Sequence, residues 1–286
     1  MTGVEPRTEI RLFGPITVLL GGQSVAGAPT GPARQLLAYL MAHHGRRLRR
    51  EALIERIWDD GRSPSRAAFN TTLWRLRRFL DRVPELALCE DCDAVELTLG
   101  PGACCDWHAL REALAGWPAT GAEALEAALD RCGGTFLEEI DAHWALAPRE
   151  TAQNAYLAAL TCLMHAAAEA GHYEQALTRA LEILELDPFR EAVHAEAMWL
   201  CVLAGQRARA IGRHRDFVRL LRDELGIGPM SETTALFRYV LEGLEAPAAT
   251  ADAGRPDPRA FFGLCEAIDR SRSDVYAAIR HSFARG

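Results

Sequence analysis

Along the first hundred residues, the pattern of hydrophobic and polar positions changes from a period of two to a helical period and back. Alternation over residues 9–20 runs into the Gly21-Gly22 turn and resumes over 23–26, which predicts a short antiparallel hairpin. Apolar residues then recur at helical spacing in three segments, and alternation returns in two short ones. The predicted helices begin near Ala33, Glu51 and Ser63, and the predicted strands span 86–89 and 94–99. This order predicts a winged helix-turn-helix domain.

The third predicted helix has two different faces. It opens at Ser63-Pro64-Ser65, a Ser cap followed by a first-turn Pro, and runs to about Arg82. At about 100° per residue, one face is wholly apolar and is predicted to be buried; it carries Phe69, Leu73, Leu76 and Leu80. The opposite face carries Ala67, Asn70, Thr71, Trp74, Arg75 and Arg78. Amide, hydroxyl and guanidinium groups are those that read base edges and bind phosphates in a major groove.

The second half of the chain is helical in pattern and contains a repeat. Residues 106–244 are rich in Ala and Leu, and the segment 170–177 recurs as 204–211. Gly171 and Gly205 hold equivalent positions about 34 residues apart, which is the tetratricopeptide (TPR) period. The small residues of the repeat allow paired helices to approach closely. An unrelated Ala-rich bundle is the alternative.

The predicted fold is therefore mainly α with a small β content, an N-terminal winged helix-turn-helix followed by an α-helical TPR-like domain. Composition changes along the chain give the predicted boundaries. They are an N-terminal tail 1–8, a winged helix-turn-helix DNA-binding domain 9–105, a TPR-like domain 106–245, a linker 246–258 and a short helical segment 259–286. The last segment could dock on the helical domain or on a second chain.

Charge is unevenly distributed. All 32 basic residues are Arg, and with 39 acidic residues they leave a net charge of -7. Residues 31–82, however, contain twelve Arg and only five acidic residues, so the net charge of this segment is about +7. Phosphate neutralisation supplies most of the sequence-independent affinity for DNA, so a basic block in an acidic chain indicates a polyanion partner. A solvated Arg-rich surface is the alternative.

Other function classes find little support in the sequence. No apolar run approaches the ~20 residues of a membrane span, and the start of the chain lacks a signal pattern, so we expect a cytoplasmic protein without membrane association. A Gly-Lys-Ser phosphate loop, a Gly-x-Ser-x-Gly elbow and a His-Glu-x-x-His helix are all missing. We therefore do not expect an enzyme.

Several separate motifs resemble the SARP-type activators, which carry an OmpR-like winged helix followed by the bacterial transcriptional activator domain. The resemblance covers about residues 9–245. The motifs are Ile10-Arg11-Leu12-Phe13-Gly14-Pro15, Leu48 to Trp58, Trp74-Arg75-Leu76-Arg77-Arg78-Phe79-Leu80, Pro188-Phe189-Arg190-Glu191, Ala204-Gly205-Gln206 and Asp223-Glu224-Leu225-Gly226-Ile227-Gly228-Pro229.

The resemblance implies a sequence-specific activator that binds direct repeats upstream of promoters as a side-by-side homodimer on double-stranded DNA. It also implies recruitment of RNA polymerase through the sigma subunit and the alpha C-terminal domain, and a nucleoid-associated location in the cytoplasm. The positions that match the family's DNA-reading helix are Arg66, Asn70, Thr71, Trp74, Arg75, Arg77 and Arg78.

Two features depart from the family pattern. Trp74 stands where a small residue is common, and it could either pack against DNA or be buried under the wing. The turn of the wing, residues 89–93, contains three carboxylates where relatives have Gly and Arg. These carboxylates would repel phosphate, so a minor-groove contact by the wing is in doubt.

The cysteines leave a further alternative open. No cofactor is expected, although a zinc site could be built from the wing and the segment after it. Its candidate ligands are Cys89, Cys92, Cys104, Cys105 and His108. Inert thiols are favoured over zinc and over a redox switch. Two other functions therefore compete with the activator: a TPR-type adaptor or sensor for a peptide or small ligand, and a metal- or redox-responsive regulator.

Overall fold

The computed structural model describes residues 8–58 and 66–242. Four predicted features therefore lie outside the described residues: the N-terminal tail except Thr8, the Ser63-Pro64-Ser65 helix start, the linker 246–258 and the segment 259–286. The chain divides into two compact units, residues 1–159 and 160–286. The domain boundary at 105/106, which rests on sequence pattern, stays a prediction.

The described elements of the N-terminal part are mixed. In chain order they are β1 (Thr8–Arg11), β2 (Thr17–Leu20), β3 (Gln23–Ser24), α1 (Pro32–Ala42), β4 (Leu48–Arg49), α2 (Arg50–Ile57), α3 (Arg66–Leu80), β5 (Leu86–Glu90), β6 (Ala94–Leu99) and β7 (Ala103–Cys105). The remaining elements are helical. They are α4 (Asp106–Gly116), α5 (Gly121–Leu129), α6 (Leu146–Glu169), α7 (Tyr173–Leu186), α8 (Glu191–Leu203), α9 (Arg207–Leu225) and α10 (Ser231–Glu242). The predicted fold class is confirmed.

The helix-turn-helix is assembled on the apolar face of α3. Phe69, Leu73, Leu76 and Leu80 are all buried, as their spacing predicts. This face packs on α1, whose Leu36, Leu37 and Leu40 are also buried. Strands β5 and β6 form the wing and pair antiparallel from Leu86 opposite Leu99 to Glu90 opposite Val95, and β4 completes a sheet with the order β4-β6-β5.

The first sheet is joined to the helices by a buried carboxylate. The sheet has the order β3-β2-β1-β7, and β7 runs parallel to β1 and leads directly into α4. Asp106, the first residue of α4, is 2% exposed. Its Oδ2 accepts hydrogen bonds from the N–H groups of Leu12 (2.8 Å) and Phe13 (2.9 Å), and its Oδ1 accepts one from Trp107 (2.6 Å). The end of β1 is thereby attached to the start of α4.

The second unit contains the predicted repeat. Gly171 and Gly205 both have positive φ, 78° and 76°. After each of them the next N–H bonds five residues back, from His172 to the carbonyl of Ala167 (2.8 Å) and from Gln206 to that of Cys201 (2.7 Å). This is the Schellman end of a helix, which Gly permits because it has no Cβ. Two turns 34 residues apart thus share one geometry.

Buried small residues and polar groups hold the repeat together. Ala176 and Ala210, equivalent in the two copies, are completely buried. The buried carboxylate of Glu191 accepts a hydrogen bond from the N–H of Met230 (2.7 Å), which attaches the segment before α10 to the start of α8.

None of the described helices is long and apolar enough to span a membrane.

Replacing Asp106 by Ala should lower the free energy of unfolding by about 3 kcal/mol, because buried N–H groups of Leu12 and Phe13 lose their acceptor. Urea denaturation of the full chain at pH 7 measures the change. Asp130→Ala, which removes an exposed carboxylate at the end of α5, is the matched control. Equal stability of the two variants would contradict the role assigned to Asp106.

The same carboxyl predicts a pH dependence. Burial outweighs the three N–H donors and raises the pKa of Asp106 from 3.8 to about 6. The folded protein therefore holds this proton more tightly than the unfolded chain, and its stability falls as the pH rises from about 4 to about 6. Relative to Asp106→Asn, which cannot titrate, the wild type should lose about 3 kcal/mol over this range. A constant difference between the two proteins in urea denaturation would refute the prediction.

Candidate nucleic-acid interface

The outer face of α3 is open to solvent. All seven residues that match the DNA-reading positions are exposed, namely Arg66, Asn70, Thr71, Trp74, Arg75, Arg77 and Arg78. The buried stripe on the opposite side holds the helix in place without using any of these side chains. An exposed face of this composition fits a major groove. Contact with DNA by these residues stays a prediction.

Trp74 is a surface residue. Its side chain is 55% exposed, so it is not buried under the wing. The guanidinium carbon of Arg78 lies 5.3 Å from the centroid of the indole ring, a cation–π distance. The contact holds the aromatic ring and the guanidinium together on the face that a duplex would meet.

Arg75 and Arg78 keep their charges uncompensated. Neither has a carboxylate oxygen within 4.0 Å among the described residues. Together with Arg82 they line a surface hollow of about 620 Å³ between α3 and the loop that precedes α1. Asp81 also lines this hollow, so the three guanidinium groups and one carboxylate leave it with a net positive charge, which attracts anions.

Arg77 is held differently. Its guanidinium forms an ion pair with Glu90 at the end of β5. The other oxygen of Glu90 accepts a hydrogen bond from Nη2 of Arg50 at 2.8 Å, and the Glu90 side chain is only 14% exposed. Nη1 of Arg50 lies 3.4 Å from Oδ1 of Asn70, to which it donates. Glu90 thus connects the wing to α2 and α3, and it pairs with one of the predicted DNA-contacting arginines, whose side chain stays half exposed.

Arginines of the same unit neutralise most of the negative charge in the turn of the wing. Asp91 forms an ion pair with Arg47, and its Oδ1 accepts hydrogen bonds from the N–H groups of Asp93 (2.9 Å) and Ala94 (2.7 Å). Two of the three carboxylates, Glu90 and Asp91, therefore have arginine partners. The repulsion of phosphate expected from the sequence is reduced accordingly.

These pairs are the part of the site that the sequence analysis missed. Arg47 and Arg50 were counted only as members of the basic block, and their partners lie about 40 residues away along the chain. The acidic turn and the arginines are brought together by the pairing of β4 with β6. The one available signal was an excess of carboxylates in the wing beside an excess of arginines in the preceding helices.

The candidate metal ligands do not form one cluster. Cys89 and Cys92 are exposed on the wing, whereas Cys104 and Cys105 lie on β7, where burial raises the pKa of both thiols. Among the described residues, no three His, Cys, Asp or Glu side chains are placed to hold a metal ion.

His108 packs instead against another histidine. The ring centroids of His44 and His108 are 4.5 Å apart, and Nε2 of His44 accepts a hydrogen bond from the N–H of Leu99 (3.0 Å). Burial lowers the pKa of His108 to about 4, so this ring is neutral at pH 7. His108 thus packs against the turn after α1, and its Nε2 lies 3.1 Å from the carbonyl oxygen of Met41 in α1.

Two family matches cover most of the described chain. Residues 26–88 match the family described as transcriptional regulatory protein, C terminal, and residues 106–241 match the bacterial transcriptional activator domain. The first match includes α3, and the second includes both copies of the repeat. The resemblance to SARP-type activators is confirmed by this pair of domains.

Similar proteins and structures agree with these matches. The chain is 27% identical to the regulatory protein AfsR of Streptomyces coelicolor over 96% of its own length, and 26% identical to AfsR of Streptomyces griseus over 86%. It spans only 29% and 26% of the length of those relatives. The structure of Mycobacterium tuberculosis EmbR in complex with a low-affinity phosphopeptide has a TM-score of 0.71 and 21% identity, covering 93% of this chain and 71% of that one. This likeness shows a shared fold.

Replacing Glu90 by Gln should raise the affinity for a nonspecific DNA duplex about threefold, because Arg77 becomes available to phosphate. One added phosphate contact should steepen the dependence of log K on log salt by about one. Fluorescence anisotropy across a salt series measures both quantities. Glu55→Gln removes an equal charge from an exposed site on α2 that has no ion pair within the described residues. The same change in both variants would mean that net charge alone is responsible.

Proposed function

The chain has the domain pair of the SARP-type transcriptional activators, and we propose that it is itself a sequence-specific DNA-binding activator of transcription. The observation that carries the proposal is the exposed outer face of α3, where Arg75 and Arg78 lie beside Trp74 and have no carboxylate partner among the described residues. The role is one of binding rather than catalysis. Its site of action is the nucleoid, in the cytoplasm.

The proposal assigns a type of DNA contact to six exposed residues of α3. Arg75 and Arg78 contact base edges or phosphates from the centre of the exposed face. Asn70, oriented by Arg50, pairs with an adenine. Thr71 donates its hydroxyl to the carbonyl of Ala67 (2.9 Å), which leaves its methyl group for a thymine. Arg66 and Arg77 flank this set and contact the phosphate backbone, Arg77 after release from Glu90.

Assembly and output follow from the family resemblance. We propose that two copies bind side by side on direct repeats upstream of a promoter and recruit RNA polymerase through its sigma subunit and the alpha C-terminal domain. The helical unit has the confirmed repeat turns at Gly171 and Gly205, and stacked repeats of this kind present extended surfaces to proteins. A polymerase subunit is the partner proposed for that surface.

The repeat also supports a second candidate function, an adaptor or sensor that binds a peptide. The phosphopeptide named for the EmbR structure does not transfer to this chain. The likeness at 21% identity concerns the fold, and 29% of that chain has no counterpart here. The adaptor proposal therefore rests on the repeat turns alone.

Selection of bound duplexes from a random DNA pool, at near-physiological salt, tests the proposed function. We expect a direct repeat spaced by about one helical turn, because each winged helix would occupy one major groove on the same side of the duplex. Folded protein that enriches no motif would refute sequence-specific binding and favour the adaptor.

Replacing Arg75 or Arg78 by Ala should weaken binding to the selected operator by about 1 to 3 kcal/mol if the lost contact is to a base edge. Titrations with the operator and with a scrambled duplex separate the two kinds of contact, since a phosphate contact weakens both equally. Arg131→Ala, which removes an exposed arginine after α5, is the control. Unchanged operator affinity in both α3 variants would rule out the assigned reading face.

A further inference from the structure

A second hollow, separate from the face of α3, lies in the N-terminal unit. It has a volume of about 400 Å³. Its walls come from the end of α1 and the turn after it, from α2 and α4, from the short 3-10 turn His143–Ala145, and from the first turns of α6. Small-molecule sites are commonly hollows of about 300 to 1,000 Å³. None of the tasks assigned to the DNA-contacting residues uses it.

One side of the hollow is aromatic. Tyr39 stacks on His43 with ring centroids 4.3 Å apart, and it meets the edge of Trp144 at 5.0 Å and 77°. Trp144 is only 8% exposed, and its buried indole N–H has no acceptor among the described residues. Tyr39 and Trp144 therefore give the hollow an aromatic wall.

The other side is cationic. Arg46, Arg56 and Arg111 line the hollow, and none of them has a carboxylate oxygen within 4.0 Å among the described residues. Arg111 lies over the ring of Trp107, with its guanidinium carbon 5.6 Å from the ring centroid. The pKa of His43 is lowered, first by burial and then by the charges of Arg46 and Arg56. Positive charge is therefore concentrated here, and none of the described residues that line the hollow is a carboxylate.

We propose that this hollow binds a small aromatic anion, a flat ring that carries a phosphate or a carboxylate. The ring lies against Tyr39 and Trp144, and the anionic group meets the guanidinium groups of Arg46, Arg56 and Arg111, which bind such oxygens in charge-assisted pairs. A purely apolar ligand would leave three like charges unpaired, and an inorganic anion would leave the aromatic wall without a partner. The proposal does not depend on the function of α3.

Calorimetric titration of the full chain with phenyl phosphate tests the site. Two half-ligands are titrated for comparison: inorganic phosphate, which is an anion without a ring, and benzyl alcohol, which is a ring without a charge. We expect one saturable site for phenyl phosphate, and at least about tenfold weaker binding of either half-ligand. Because ligand binds the folded chain, phenyl phosphate should also raise the Tm in a concentration-dependent way. No saturation up to millimolar phenyl phosphate at low salt would overturn the proposal.

Variants locate the binding. Arg46→Gln and Arg111→Gln should each weaken phenyl phosphate binding about tenfold. Trp144→Phe should weaken it less, because it keeps an aromatic ring in the wall. Arg131→Gln removes an exposed arginine of the same unit that does not line the hollow, and should bind as the wild type does. Equal weakening by Arg131→Gln would overturn the proposal, since it would indicate diffuse attraction to a basic surface.

Titration with duplex DNA separates this inference from the proposed function. If Arg46→Gln weakens DNA binding while phenyl phosphate never binds the wild type, these arginines serve the phosphate backbone of DNA and the ligand site is wrong. If phenyl phosphate binds and the variants lose it, the site stands whether or not the random pool yields an operator.

Discussion

The N–H groups of Leu12 and Phe13, at the end of β1, would be buried without an acceptor if Asp106 were absent. A buried carboxylate is itself costly, and burial raises its pKa to about 6, yet three N–H donors converge on it. The parallel pairing of β1 with β7 places Asp106 at this position. That constraint sets where α4 starts, and α4 contacts α1 through His108, whose Nε2 lies 3.1 Å from the carbonyl oxygen of Met41.

Periodicity predicted the parts of the fold that depend on local spacing. The buried stripe of α3 and the two turns of the repeat follow from residues three or four apart and from a Gly at a fixed place, and both are confirmed. The parallel strand β7 was not predicted, because its three residues have no period of their own. Its pairing with β1 joins positions about 95 residues apart. Such a pair is decided by the tertiary fold, through the hydrogen bonds that Asp106 completes.

In the candidate site, too, local spacing predicts some features and the tertiary fold decides the others. Which residues of α3 face solvent could be predicted, since a single helix fixes its own faces. Which arginines are free to bind an anion could not. Arg50 and Arg77 look like Arg75 and Arg78 in the sequence. The fold places Glu90 between the first two, whereas the others have no carboxylate oxygen within 4.0 Å in the part of the chain that the structure describes. The net charge counted from the sequence of a basic segment is thus an upper limit on the positive charge that is free to bind a partner.

Charge compensation, rather than charge count, therefore separates the arginines of the N-terminal unit. Arg47, Arg50 and Arg77 hold the wing, where an acidic turn would otherwise repel a polyanion. Among the described residues, arginines without a carboxylate within 4.0 Å include two groups, one on the outer face of α3 and one around the aromatic hollow. Like charges that stay unpaired and close together destabilise a folded chain through mutual repulsion. These two groups fit the two proposed anions, one extended enough to follow a helix face and one small enough to enter a hollow.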